Sequence, residues 1–412
     1  MTSENVRSDR VKRLMLLCGL RYAVPVIMAA HEMNIYVITC DNKPDNFAHR
    51  YSDEYCNASV IDKDAILNAA IRLRIDGIMS FACDPGVLTA AYVAELLHLP
   101  SCGPYESVAI LQNKGKFRRF LAANGFNVPT AKSYTSVDDA IGDTGLFHWP
   151  VIVKPTDSAG SKGVTKVDNP TILKKSIEHA LSFSISKEFI IEDFLMQEGF
   201  ASDTDCFSIN GELVFVSFNA QHFDKNAINP FTPSAYTWPS SISAANESVL
   251  ISEIQRVLTL LKMGTSIYNI ESRVCIDGKA YIMECSPRGG GNRLAECIKY
   301  ATGVDLVSNS VRAAVGLPIE VIEQKPYRGW WAEIILHSSK PGVYESLWIN
   351  DDIKRYIIEV DIWITCGSNV GGFCGANEAI GTIILNFPDY HIQKEVMDNI
   401  SRYVSVVIKE NT

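Results

Sequence analysis

Short apolar runs alternate with amphipathic stretches over residues 13–97, which predicts strands and helices in alternation. In chain order, a strand and a helix alternate at Arg13–Cys18, Val24–Met33, Ile35–Cys40, Ala65–Leu73, Ile75–Phe81 and Leu88–Leu97. Because strands that alternate with helices form parallel sheets, residues 1–108 are predicted to be a doubly wound parallel α/β domain. Asp41 and Asp84 each follow a predicted strand, where an acid either opens a turn or contacts a ligand.

Two further domains are predicted from the rest of the pattern, at residues 109–318 and 319–412. The second contains most of the polar chemistry and begins with a short helix at Lys116–Asn124. The third is predicted to be a small α+β unit. Its predicted elements are strands at Trp331–His337, Ile357–Thr365 and Ala379–Asn386 and a helix at Gln393–Val404.

Aromatic residues and prolines crowd the segment Asn219–Ser241, a composition that argues against regular structure. We therefore predict an irregular loop, which either shapes a substrate pocket or packs its own aromatic side chains. An acid–base role for His222 or Asp224 is a further alternative. A substitution of Trp238 that changed substrate preference would favour the pocket.

Two carboxylates are predicted to lie on neighbouring strands of a hairpin. Apolar runs flank Asp277-Gly278-Lys279, which is typical of a tight turn, and place Glu271 and Glu284 on either side of it. Mg²⁺ prefers oxygen ligands and takes about one or two protein carboxylates together with water and substrate phosphates. The pair therefore predicts a nucleotide–metal site, although solvated strand residues would give the same pattern.

A lysine and a small-residue loop follow one another in the second domain. The run Trp149–Pro155 predicts a buried strand that contains Lys154, and the loop Ser158–Gly163 comes directly after it. Free backbone N–H groups in such a loop can approach phosphate oxygens, and a lysine adds positive charge. The loop has no Walker A sequence and could also be an ordinary turn. A second apolar strand, Phe189–Leu195, could offer its backbone to an adenine edge.

The composition argues against several classes of protein. The formal net charge is −9 with acids and bases interspersed, which disfavours a nucleic-acid partner. No apolar run approaches the roughly 20 residues that span a bilayer, and Met1–Lys12 lack the pattern of a signal peptide. The 11 cysteines are scattered without Cys-x-x-Cys spacing. We expect a cytoplasmic protein whose cysteines are reduced.

Six short segments, taken together and in order, resemble the ATP-grasp superfamily. They are Asn113–Lys114, Val151–Pro155, Ser158–Gly163, Ile190–Leu195, Asn269–Glu271 and Glu284–Arg288. Within that superfamily the chain is similar to the carbamoyl-phosphate-synthase and amino-acid-ligase types. The resemblance implies an ATP-grasp module in the second domain, after the N-terminal α/β domain.

The resemblance also implies a role for each segment, with ATP and Mg²⁺, or Mn²⁺ in its place, as cofactors. Lys114 and Lys154 would bind the phosphates, and a mobile loop of Ser158, Gly160, Ser161 and Gly163 would cover them. Adenine would contact Glu192 and the backbone of Phe194 and Leu195. The metal would be bound by Glu271, Glu284 and Ser286, and Arg288 with Lys154 would be catalytic. We call the loop Ser158–Gly163 the cover loop. Backbone amides of Gly289–Asn292 would bind a substrate carboxylate. The acid that contacts ribose stays unassigned among Glu198, Asp203 and Asp205.

The implied activity is that of an ATP-dependent carboxylate–amine ligase. It would activate a small carboxylic acid, such as an amino acid, as an acyl phosphate, form an amide and release ADP and phosphate. Its partners would be the acid and the amine, without nucleic acid or membrane, and it would be a homodimer. One alternative is phosphorylation of bicarbonate or carbamate. Another is a nucleotide-binding protein without turnover, since many members have Asn where Ser286 stands.

Overall fold

A parallel sheet with flanking helices forms the first part of the molecule. The computed structural model describes residues 10–409, so most of the N-terminal segment considered for a leader lies outside the described residues. The strands are β1 (Arg13–Leu17), β2 (Tyr36–Asp41), β3 (Glu54–Asn57) and β4 (Gly77–Ser80), and the helices are α1 (Val24–Glu32), α2 (Lys63–Leu73) and α3 (Asp84–Leu96). All strands pair in parallel in the order β3-β2-β1-β4, which confirms the predicted fold class.

Two helices lead from this sheet into a small antiparallel sheet. These elements are the helices α4 (Tyr105–Leu111), α5 (Lys114–Ala123), α6 (Val137–Gly142) and α7 (Leu173–Ser182) and the strands β5 (Ala131–Tyr134), β6 (Val151–Pro155), β7 (Thr165–Val167) and β8 (Phe189–Asp193). The sheet order is β5-β8-β6-β7. Asn113 caps α5, because its side-chain oxygen accepts from the backbone N–H of Lys116 at 2.9 Å. Because of this cap, α5 begins at Lys114, which lies in the first turn of the helix.

A second antiparallel sheet, in the order β10-β9-β13-β14, forms the centre of the molecule. The elements of this part are the strands β9 (Ser202–Ile209), β10 (Glu212–Val216), β11 (Ala220–Phe223), β12 (Pro233–Trp238), β13 (Ser266–Val274) and β14 (Ala280–Ser286) and the helices α8 (Ala244–Leu260), α9 (Leu294–Thr302) and α10 (Leu306–Ala314). Helices α9 and α10 share one hydrophobic core with α1 and β1, so the chain packs back onto its first sheet after β14.

The last part of the chain adds strands and helices on the other side. They are the strands β15 (Trp330–Leu336), β16 (Gly342–Ile349), β17 (Ile357–Ile362), β18 (Asn369–Val370), β19 (Gly381–Phe387) and β20 (Val404–Lys409) and the helices α11 (Asp351–Lys354) and α12 (Tyr390–Asp398). The predicted helix Gln393–Val404 was wrong in its second half. Helix α12 ends at Asp398 with Asn399 as its C-cap, and Val404 begins β20, which pairs with β16.

The five-stranded sheet β11-β12-β15-β19-β17 joins this last part to the middle of the chain. Strands β12 and β15 pair although they lie on either side of the predicted domain limit at residue 318. The prediction of an irregular loop at Asn219–Ser241 was wrong, because β11 and β12 form an antiparallel pair within it. Aromatic side chains favour strands when one face is buried, and Tyr236 and Trp238 are both buried here.

Most of the cysteines lie in the interior of the protein. All 11 cysteines are free, and only Cys366 and Cys374 are exposed. None of the helices within residues 10–409 combines the length and the apolar composition that crossing a bilayer would take.

Candidate functional site

The predicted carboxylate pair lies on the β13–β14 hairpin. Glu271 is directly opposite Glu284 in the antiparallel register. The turn forms because the Asp277 carboxylate accepts from the backbone N–H of Lys279 at 3.1 Å and Gly278 adopts a positive φ of 74°. The Glu284 side chain is 41% exposed, whereas Glu271 contacts the Arg273 guanidinium at 2.5 Å. The hairpin thus presents two neighbouring carboxylates, one of them open to solvent.

These two carboxylates suit a cation that takes its other ligands from water and phosphate, as Mg²⁺ does. Burial would raise the pKa of Glu271, but Arg273 and Lys154 lower it below its usual value, so the carboxylate is ionised at neutral pH. Within residues 10–409, no group of three or more His, Cys, Asp or Glu side chains could hold a metal ion. With two protein carboxylates, the remaining positions around Mg²⁺ would be taken by water and phosphate oxygens.

Lys114 connects three parts of the site. Its ammonium group lies 3.2 Å from a carboxylate oxygen of Glu284 and donates to the carbonyl oxygen of Ser158 at 2.8 Å. Its backbone N–H donates to the carbonyl oxygen of Thr156 at 3.0 Å. The start of α5, the cover loop and the hairpin therefore meet at one lysine.

Lys154 and Arg118 enclose the carboxylate of Glu192. The two cations lie 2.9 Å and 2.8 Å from its two oxygens, and Arg118 also donates to the carbonyl oxygen of Met283 at 2.7 Å. Burial would raise the pKa of Glu192, but Arg118 and Lys154 outweigh it and lower the pKa to about 2. Sequence reasoning missed Arg118. It lies four residues after Lys114, a spacing that places both side chains on one face of α5, and a helix predicted to begin at Lys114 would have given this signal.

The structure does not support an adenine contact for the Glu192 side chain, which is only 2% exposed and already paired with two cations. The backbone N–H of Phe194 donates to the carbonyl oxygen of Pro150 at 3.0 Å, so it is not free to bind a base. Leu195 packs against Cys275, Tyr281 and Met283. A role of this backbone segment in adenine binding stays a prediction, with the Glu192 carboxylate removed from it.

Arg288 is fixed by Asp84, which follows β4 in the first sheet. Two of its nitrogens donate to the two Asp84 oxygens at 3.0 and 2.8 Å, and a third donates to Asn269 at 2.9 Å. Burial would raise the pKa of Asp84, but Arg288 lowers it below its usual value, so the pair is ionised. Asp84 is the first residue of α3 and contacts Ser286 and Arg288 of the protein itself, so its predicted contact with a ligand stays a prediction. Asp84 orients the arginine that was predicted to be catalytic.

Ser286 lies in a chain of hydrogen bonds rather than facing a free space. Its hydroxyl donates to Asp84 at 2.9 Å and accepts from the Gln112 amide at 2.7 Å. A hydroxyl has one proton and two lone pairs, so these contacts leave a single lone pair. Metal binding by Ser286 stays a prediction, and its clearest contribution is to hold Asp84 beside Arg288.

Asp203 and Asp205 lie on β9, beside the hairpin, opposite Glu271 and Asn269. Burial raises the pKa of each to about 7, and the Glu271 charge adds to the effect at Asp203. Asp205 accepts from the backbone N–H of Gly290 at 2.8 Å. The Gly290 amide is therefore used inside the protein, which corrects its predicted contact with a substrate carboxylate.

The cover loop has the backbone of a tight, irregular loop. Gly160, Ser161 and Gly163 all have positive φ, at 68°, 58° and 73°. A Cβ atom on Gly163 would lie 3.1–3.2 Å from atoms of Phe183 and Pro155, so a side chain there would be strained by both space and φ. Its first residue, Ser158, accepts from the Lys114 ammonium group. Its role as a cover over phosphates stays a prediction.

Trp238 lies in the protein core, not in a pocket. It is fully buried, and its indole N–H donates to the Ser217 hydroxyl at 3.1 Å. His222 and Asp224 do not pair with each other, since His222 contacts Thr237 and Asp224 contacts His337. Burial lowers the pKa of His222 to about 4, so its ring is neutral at pH 7.

Trp238→Phe is expected to lower the free energy of unfolding by about 1–3 kcal/mol, because the Ser217 hydroxyl loses its donor in a buried site. Substrate preference should stay unchanged. Urea unfolding and assays against alternative substrates measure the two effects. A changed preference with unchanged stability would restore the predicted pocket role of Trp238.

Comparison with known proteins matches part of the chain, including Lys154, Glu192, Glu271, Glu284 and Arg288, to a known domain. Residues 147–296 match the family model of the ATP-grasp domain. The large chain of carbamoyl phosphate synthase from Thermoanaerobacter sp. (strain X514) is 24% identical over 229 residues, 56% of this chain and 20% of that protein. The formate-dependent phosphoribosylglycinamide formyltransferase of Parasynechococcus marenigrum is 24% identical over 323 residues, 76% of this chain and 78% of that protein.

Solved structures extend the similarity over nearly the whole chain. The L-amino acid ligase from Bacillus licheniformis has a TM-score of 0.83 at 18% identity and covers 98% of this chain and 100% of that one. The N5-carboxyaminoimidazole ribonucleotide synthetase from Thermotoga maritima has a TM-score of 0.74 at 16% identity, with coverages of 97% and 100%. At identities of 16–18%, the similarity to these structures establishes the fold alone. The resemblance predicted from the sequence is confirmed.

Proposed function

We propose that this chain, which contains an ATP-grasp domain, is an ATP- and Mg²⁺-dependent ligase that joins a small carboxylic acid to an amine. Bound ATP supplies the phosphoryl group that activates the acid as an acyl phosphate. The amine then displaces phosphate and forms an amide, and ADP is released. The reaction needs no covalent nucleophile from the protein, so positioning and charge compensation are the protein's contribution.

One observation carries the proposal. The Lys114 ammonium group lies within 3.2 Å of Glu284 on the hairpin and 2.8 Å of the Ser158 carbonyl in the cover loop. A lysine, a small-residue loop and a carboxylate that suits Mg²⁺ therefore converge, as a site for a triphosphate and its metal requires. The two carboxylates would hold the metal, and Lys114 and Lys154 would bind the phosphates.

Arg288 and its partners define the acceptor side of the site. Hydrogen bonds to Asp84 and Asn269 and to the carbonyl oxygen of Gly289 fix the plane of the guanidinium. A fixed cation is suited to stabilise charge that develops on a transferred phosphoryl group, because it needs no reorganisation during the reaction. The Glu192 carboxylate has a similar positioning role toward Lys154.

Amino acids are the substrates that we favour. The support is the similarity over nearly the full length to a protein named L-amino acid ligase. Phosphorylation of bicarbonate or carbamate is the second candidate, because carbamoyl phosphate synthase large chains are among the relatives. The chain spans about a fifth of the length of those relatives, at 20%. We also propose that the protein forms a homodimer and that it is located in the cytoplasm.

The test is ADP formation by the purified chain with ATP and Mg²⁺. Proteinogenic amino acids are supplied singly and in pairs, and bicarbonate is supplied with and without ammonium. Sustained ADP release that requires both an acid and an amine, with an amide product in the mass spectrum, supports the ligase. Release with bicarbonate alone would favour the second candidate. Absence of turnover on the whole panel, with no uptake of ATP at millimolar concentration, would overturn the proposal.

A further inference from the structure

The connection between β11 and β12 touches both the cover loop and the last part of the chain. Asn229, in this connection, donates from its side-chain amide to the carbonyl oxygen of Ser161 at 2.9 Å and to that of Cys374 at 3.3 Å. Its side-chain oxygen accepts from the backbone N–H of Phe231 at 3.0 Å. One side chain therefore uses its two donors on the backbone of two other segments and its acceptor within its own connection.

Neighbouring contacts reinforce this arrangement. The Ser161 hydroxyl donates to the carbonyl oxygen of Phe231 at 2.8 Å, and the backbone N–H of Asn229 donates to the carbonyl oxygen of Phe373 at 3.2 Å. A Cβ atom on Gly160 would lie 3.6 Å from the Ala376 side chain, which is ordinary van der Waals contact. The backbone of the cover loop thus lies close to the segment around residue 375 and is also linked to it through Asn229.

The two ends of the cover loop are held by different groups. Lys114 holds Ser158 at the start of the loop, on the side of the metal carboxylates. Asn229 holds Ser161 near its end, on the side of the last part of the chain, and its own side chain contacts none of the lysines or carboxylates of the nucleotide site. A loop that covers phosphates must open for nucleotide entry, so the contacts at its far end set how readily it opens.

We infer that Asn229 is a positioning residue that keeps the cover loop closed against the last part of the chain. Closure of the loop over the nucleotide is then coupled to the position of the segment around residue 375. The kinetic consequence rests on the proposed function, whereas the closure itself does not. Losing two donated hydrogen bonds is expected to favour the open loop by about tenfold, since a neutral hydrogen bond makes a modest net contribution.

The experiment compares Asn229→Ala and Asn229→Asp with a matched control, Asn226→Ala. Asn226 lies in the same connection, has an exposed side chain and makes its hydrogen bond to Asp224 through its backbone N–H. Asn229→Asp keeps the acceptor for the Phe231 N–H but removes both donors, so it tests the loop contact even if Asn229→Ala misfolds. Trypsin cleavage after Lys162 reports loop opening, and thermal unfolding reports the integrity of the fold.

Both Asn229 variants should be cleaved after Lys162 about tenfold faster than the control, with a similar rise in the KM for ATP and a smaller change in kcat. The unfolding midpoint of Asn229→Asp should match that of Asn226→Ala. Cleavage of Asn229→Asp at the control rate would overturn the inference, even with normal ligase turnover. If the chain has no ligase turnover, the proposed function fails, but cleavage and ADP affinity still test the loop.

Discussion

Arg118→Leu is expected to lower the free energy of unfolding by about 3–5 kcal/mol, the usual cost of leaving one partner of a buried ion pair behind. Arg118 is almost completely buried and lies 2.8 Å from one oxygen of Glu192. Without it, the carboxylate keeps only Lys154, and the carbonyl oxygen of Met283 loses a donor at 2.7 Å. Urea unfolding at pH 7 measures the difference.

Arg119→Leu is the matched control, because Arg119 is the next residue on the same helix and is exposed. Its stability should stay within about 0.5 kcal/mol of the original chain, as for most surface substitutions. Equal stability of the two variants would contradict the buried cation pair at Glu192.

The same contact predicts a dependence on pH. Glu192 has a pKa of about 2 in the folded chain, well below the ordinary value of 4.5. A carboxylate with a lowered pKa contributes stability above its unfolded pKa and loses it as the pH falls through the folded value, here from about pH 4.5 to pH 2. The difference in the free energy of unfolding between the original chain and Arg118→Leu should therefore become smaller as the pH falls from about 4.5 to about 2. If the free energies of unfolding of the two chains instead changed in parallel with pH, Arg118 would not set the pKa of Glu192.

The double substitution Glu271→Gln and Glu284→Gln should reduce substrate-dependent ADP release by about a hundredfold or more, because charge stabilisation by a bound metal is worth several kcal/mol. Glutamine keeps the shape of each side chain while removing the charge that the hairpin presents to a cation. The measurement is ADP release at saturating ATP over a range of Mg²⁺ concentrations.

Glu212→Gln serves as the control, since Glu212 is an exposed acid in the same four-stranded sheet. It should retain the original rate at every Mg²⁺ concentration. Unimpaired turnover in the double variant would contradict the assignment of Glu271 and Glu284 as metal ligands.

The parts of the site that could be predicted are those with local signals. The Asp-Gly turn predicted the hairpin and placed Glu271 and Glu284 on its two strands, because a tight turn between apolar runs is a local signal. The pairing of Glu271 with Glu284 also needs the bulge between Glu271 and Ser272, which the turn does not specify. The order of Lys154 and the cover loop is likewise contained in a few consecutive residues. The alternating strands and helices before residue 100 predicted the first sheet for the same reason.

The parts that could not be predicted depend on contacts between distant segments. Asp84 and Arg288 are 204 positions apart, and nothing near either residue specifies the other. Asn229 and Ser161 are 68 positions apart, and their contact required that the loop containing Asn229 be placed first. Trp238 was misassigned because the composition of its segment does not reveal that β12 has two partner strands, β11 and β15.

The sheet that β11 and β12 share with β15 has a consequence for protein engineering. A chimera that exchanged only the last hundred or so residues between relatives would pair β12 of one parent with β15 of the other, across the register from Ala235 opposite Ile334 to Trp238 opposite Trp331. The transplantable unit is discontinuous. It consists of the β11–β12 hairpin together with everything from β15 onward, grafted at three junctions rather than one.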